Sequence, residues 1–137
     1  MKLLATAFGA AFLFSACAPM GLRTDTIGIF PIQAGELWNL QVGSSQVIEF
    51  SLTNQPTTAK DNWLYANFKS ADPTLFGAGV IPDDQKYLVL VFKRSPEQFS
   101  CVLPLSANFA RGVTGTGAQY QNERKVADVP CSLSRIR

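Results

Sequence analysis

Chemistry in this chain is bounded first by what is missing. Its 137 residues include no histidine, so neither a Ser-His-Asp nor a Cys-His constellation can be assembled. Tetrahedral zinc draws on four Cys or His ligands, and Cys17, Cys101 and Cys131 are the only thiols; no metal site is expected. Carboxylates leave a narrower route. Asp72, Asp83 and Asp84 fall on what reads as one long loop, and glycosidases need only two acids at a suitable separation, while calcium needs clustered oxygen ligands. Neighbouring loop aspartates are, however, ordinary turn formers, because their side chains bond their own backbone. The stretch RGVTGTG, residues 111 to 117, has the spaced glycines of a phosphate cradle, yet no Lys-Ser/Thr follows and no helix is expected after it. In a β-rich chain such glycines read as a hairpin tip. These absences point away from an enzyme and from any cofactor, and toward a protein that acts by binding.

The elements that position these residues begin with a leader. Met1-Lys2 is followed by an almost unbroken apolar run from Leu3 to Phe14 that ends in the small residues Ser15 and Ala16, the layout of a secretory signal. A helix of this length rises about 18 Å, against about 30 Å of hydrocarbon, too short for a permanent span. An ordinary signal-peptidase cut after Ala18 would leave Pro19 beside the scissile bond. Phe14-Ser15-Ala16-Cys17 resembles instead the lipobox of bacterial lipoproteins. That resemblance implies acylation of the Cys17 thiol by chains such as palmitate and cleavage before it, so that residues 1–16 are a signal peptide, 17–26 a lipidated cysteine and tether, and 27–137 a single β-domain. Several acyl chains make a stable membrane anchor. Ala18, in place of aspartate, implies onward sorting to the outer membrane in an organism with two membranes. With Cys17 committed to lipid, Cys101 and Cys131 are the thiols left, and in an oxidising compartment they are expected to pair. Closing that loop contributes about 3.5 to 4 kcal/mol in the chain-entropy account. Lys2 leaves with the leader, so 11 of the 12 basic residues remain against 10 acidic ones. Such near-neutrality offers nucleic acid no footprint.

Beyond the tether the hydrophobic period is two. In LWNLQV, Trp38, Leu40 and Val42 share one face while Asn39 and Gln41 share the other; in QVIEFSLT, Ile48, Phe50 and Leu52 do the same. Gly43-Ser44-Ser45 between them supplies a turn, so the two form a hairpin. NWLYANFKS and KYLVLVFK carry apolar residues on both faces and are expected to be covered on two sides. FSCVLPL is kept as an edge strand because Pro104 cannot donate to a ladder, and VADVPCSLSRI closes the set. Short strands split by Gly, Pro, Asn and Asp predict an all-β domain, an antiparallel immunoglobulin-like β-sandwich, with a small closed β-barrel as the alternative.

Three segments stand in a suggestive order: NQPTTAKDNW, then LFGAGV, then ARGVTG. The order resembles that of the chagasin-type inhibitors of papain-like cysteine proteases. Pro56, Thr57 and Thr58 correspond to the first inhibitory loop, with Gln55 inserted after Asn54; Gly77, Ala78 and Gly79 correspond to the second; Arg111 opens the third. The resemblance implies a sandwich whose loops converge at one end to fill a protease cleft. The function expected is a lipid-anchored, non-enzymatic envelope protein that binds a protein partner through loops at one end. Two alternatives stand beside it. One is a structural accessory lipoprotein, for which the same loops are turn chemistry; the other is a barrel that carries a small apolar ligand, since GELW is similar to the Gly-x-Trp of lipocalin-like barrels.

Overall fold

The computed structural model describes residues 30–44, 46–58, 62–106 and 109–137. The expected signal peptide, Cys17 and the expected tether therefore lie outside the described residues. Among the described residues nine strands form: β1 (Trp38–Val42), β2 (Gln46–Leu52), β3 (Thr57–Thr58), β4 (Leu64–Ser70), β5 (Phe76–Ile81), β6 (Tyr87–Arg94), β7 (Glu97–Pro104), β8 (Val113–Gln121) and β9 (Arg124–Arg135), with a 3-10 turn at Phe109–Arg111. The predicted alternation holds. Trp38, Leu40 and Val42 of β1 and Ile48, Phe50 and Leu52 of β2 are buried, and Val42 faces Gln46 across the hairpin, with Gly43 in the left-handed region at φ 66°.

The all-β expectation is met by the barrel, not by the sandwich. From β4 to β9 each strand pairs antiparallel with the next, β2 pairs with β4, and β9 returns to pair with β1, closing an eight-stranded ring to which β3 adds as a ninth strand on β4. The returning register runs from Cys131 opposite Val42 to Arg135 opposite Trp38. A sandwich needs connections that cross between two sheets; here the connections between ring strands are hairpin-like except at β2–β4, and the ladder is continuous. FSCVLPL is accordingly no edge. It lies in β7 between β6 and β8, and Pro104 falls on the strand's last residue, where the missing donor matters least.

Two strands absent from the sequence reading complete the ring. LFGAGV belongs mostly to β5, and the glycines of VTGTG run along β8 instead of forming a hairpin tip. In β5 the inward positions are Gly77, Gly79 and Ile81. A Cβ at Gly77 would overlap the Phe92 ring, and one at Gly79 would stand 2.8 Å from Phe68 and 3.1 Å from Phe30. The room these glycines leave is filled by aromatic rings. Phe50 lies 4.9 Å from Phe68 and 5.0 Å from Phe92, centroid to centroid, and Phe30 packs on Phe68 at 6.1 Å. Each such pair adds about 0.5–1.5 kcal/mol beyond its buried area. Eight strands enclose a space that side chains can just fill, and here they do; among the described residues no polar or charged one is buried.

On the opposite side the cystine closes. Cys101 of β7 and Cys131 of β9 are bonded with their Cα atoms 6.0 Å apart, within the range a disulfide requires, and both are buried. They are not on neighbouring strands. Between them runs β8, with Gly117 opposite Cys101 and Gly115 opposite Cys131. A Cβ at Gly115 would collide with the Val102 carbonyl, and one at Gly117 would stand 2.8 Å from the Ser100 oxygen and 3.3 Å from the Cys131 Cβ. Only a strand that turns no side chain inward at these two positions lets the bond pass across it.

Candidate functional site

Strand direction sorts the connections into two ends. At one, the turn end, lie the short links 43–45, 71–75, 95–96 and 122–123. At the other, the loop end, lie the described parts of 53–63, with β3, and of 105–112, the 82–86 turn, and Arg137 beside Leu37. Pro56, Thr57 and Thr58 are at the loop end: β3 pairs Thr57 with Tyr65 and Thr58 with Leu64, and both threonines are exposed. Just before β4, Trp63 stacks on Tyr65 with ring centroids 6.4 Å apart and planes 23° from parallel.

Arg111 is at the same end. Its 3-10 turn is pinned by Phe109, which is buried and packs on Trp38 at 5.8 Å, and Gly112 N–H donates to the Phe109 carbonyl at 3.2 Å. Trp38 in turn donates its indole N–H to Glu36 at 2.8 Å, and the other Glu36 oxygen accepts from Arg135 at 3.2 Å. Leu105 N–H donates to the Lys86 carbonyl at 3.0 Å, which ties the 105–112 connection to the 82–86 turn. Arg111 is thus an exposed cation on an anchored support.

Gly77, Ala78 and Gly79 do not join them. They are strand residues of β5, the glycines facing the aromatic interior and Ala78 the outer surface, so the predicted second loop does not exist as a loop. The three aspartates also separate. β5 runs between Asp72 at the turn end and Asp83 and Asp84 at the loop end, and no shared carboxylate site results. Asp72 instead holds a corner. Its carboxylate accepts from the Thr74 hydroxyl at 2.7 Å and the Thr74 N–H at 3.0 Å, and pairs with Arg94, which also grips Glu97 at 2.7 Å. Donation from Thr74, with Arg94 beside it, holds the Asp72 carboxyl below the usual range, while the hydrogen bond to Glu97 raises Arg94 further.

No family model matches the chain, and no curated protein or solved structure matches it either. Among the described residues no group of three or more acidic or thiol side chains is arranged to hold a metal ion. Cys17 lies outside the described residues. Two features escaped the sequence reading: the Trp63–Tyr65 stack beside β3, and the inward Gly-x-Gly pairs of β5 and β8. The second left a visible trace, because in VTGTGA the glycines recur at period two, the spacing of one face of a strand.

Proposed function

We propose that this chain is a non-enzymatic protein of the cell envelope, held by lipid on Cys17, that binds a protein partner through the loop end of its barrel. The observation that carries the reading is the segregation of connections: the longer ones, with exposed Thr57, Thr58 and Arg111, gather at one end, and the tight turns close the other. Binding residues concentrate on loops that a rigid scaffold positions, and an interior packed with Trp38, Phe50 and Phe92 is such a scaffold. The same packing supports partner binding over carriage of an apolar ligand, which needs an open lumen. Of the inhibitor-like order, this proposal keeps Pro56 to Thr58 and Arg111 and does not use Gly77 to Gly79. The buried cystine is consistent with an oxidising compartment, and the outer membrane is the proposed address where two membranes exist.

A photoreactive benzoylphenylalanine in place of Thr57 or Arg111, in the full chain expressed in its own envelope, is expected to give a cross-linked partner, and the same group at Asn122 in the far turn to give none. Equal yields from both ends would reject the loop end as the site. Cys17→Ser in the same cells is expected to move the protein out of the membrane fraction; unchanged fractionation would reject the anchor.

A further inference from the structure

The outside of the barrel has two unlike walls. On β8, β9 and β1 the outward residues include Thr114, Thr116, Ser132, Ser134, Asn39 and Gln41, with Ala118, Tyr120 and Pro130 among them, a mainly polar face as expected in water. On β4 to β7 they are mostly apolar. Tyr65, Val80, Val89 and Val102 are successive register partners across four strands, and Ala78 lies beside Val91 in the next row. Every one of these six is partly exposed. KYLVLVFK, whose unbroken apolar run predicts cover on both sides, has its inner face covered by the core, while Val89 and Val91 remain partly exposed on an outer face that none of the described residues covers. The borders of this wall carry opposite charge. At the turn end Lys69 and Lys93 flank Phe76 in register, and Phe76 is 74% exposed; at the loop end the 82–86 turn presents exposed Asp83 and Asp84, with Lys86 following.

We propose that this wall is self-complementary and pairs with a second copy of the chain about a twofold axis that lies between the two facing walls, parallel to the sheets and perpendicular to their strands. A twofold contact is isologous: what lies above the axis on one copy meets what lies below it on the other. Rotation therefore brings the Lys69 and Lys93 border of each copy onto the Asp83 and Asp84 border of its mate, while the valine rows meet face to face, about 10 Å between sheets. Opposed charges at the rim set register, and the apolar centre supplies the burial. Had all charges on the wall been of one sign, the same axis would have set like against like. The pairing uses the side of the barrel and leaves the loop end open, so it stands or falls apart from the partner proposed above.

Full-length chain with benzoylphenylalanine at Val89, irradiated in its envelope, is expected to yield an adduct of twice the chain's mass whose linked peptides both come from this sequence. An adduct with another protein, or with none, overturns the proposal. In detergent-solubilised full-length protein, Lys69→Asp with Lys93→Asp is expected to weaken self-association by about tenfold or more, read by sedimentation. Adding Asp83→Lys and Asp84→Lys to that chain reverses both borders and is expected to restore it. Thermal melts establish that each variant is folded; a folded four-fold variant that fails to re-associate overturns the twofold arrangement.

Discussion

Strands β5 and β8 each turn a Gly-x-Gly toward the interior, and the two spaces are taken by different things. Beside β5 the occupants are rings: Phe92 stands where a side chain of Gly77 would be, Phe68 and Phe30 where one of Gly79 would be. Beside β8 they are main chain and cystine, with the Val102 and Ser100 carbonyls pressed against Gly115 and Gly117. Rings can shift rotamer or be exchanged for smaller side chains, whereas a carbonyl held in a ladder can do neither. The missing side chains of β5 are thus a matter of volume, and those of β8 a matter of how closely three strands approach.

The largest effect should come from Gly115→Ala. Its methyl meets the Val102 backbone, and a destabilisation of about 3 kcal/mol or more is expected from denaturant unfolding, with no single interior substitution restoring it. Gly77→Ala meets only the Phe92 ring and is expected to cost about 1–3 kcal/mol. Adding Phe92→Leu to Gly77→Ala should recover part of that loss, although Phe92→Leu alone is destabilising; failure to recover would mean that β5, like β8, is limited by backbone. The smallest effect separates the corners beside the two strands. The β4–β5 corner rests on Asp72, whose carboxyl is lowered by Thr74 and then by Arg94. A lowered folded value gives stability that is present above the unfolded one and lost as pH falls through the folded one. Lys125, near the β8–β9 turn, is raised by its hydrogen bond to Asp128 at 2.9 Å, so its share is present below the unfolded value and lost as pH rises through the folded one. In thermal melts, the difference between wild type and Asp72→Asn should close in acid, and that for Lys125→Met in strong alkali. Both groups are exposed, so the shifts in midpoint will be small.

What could be read from residues alone follows the same division. β1, β2 and β9 were legible because their inward residues are large and apolar, Trp38 to Val42, Ile48 to Leu52 and Leu133, and alternation is visible only when the inner side is heavier than the outer. In FGAGVI and VTGTGA the inner side is the lighter one, and the signal inverts into what resembles a loop. Pairing of Cys101 with Cys131 followed from the thiols left over, while the strand between them had no trace in the cysteine spacing. Closure was hidden for a different reason. The same strand set satisfies a sandwich or a barrel, and the choice lies in β9 meeting β1, a pairing of residues such as Leu133 and Leu40 that no local pattern encodes. At the candidate site, Pro56 to Thr58 and Arg111 do share an end, because both precede strands that start there; the resemblance groups Gly77 to Gly79 with them through a Gly-x-Gly pattern, which marks interior clearance here and not a turn.

The bond that passes over β8 joins cysteines thirty positions apart, with the exposed turn at Asn122 and Glu123 between them, a tip of the kind at which proteases nick a chain. A cut there would separate the polypeptide into two pieces without releasing either. Cys101 stays with the first piece and Cys131 with the second, their link lies at 0% and 3% exposure, and β8 and β9 remain in their ladders. The molecule would continue as a two-chain protein of unchanged outline, its scission visible only after unfolding and reduction, which is a form of durability against wear that the intact chain does not reveal.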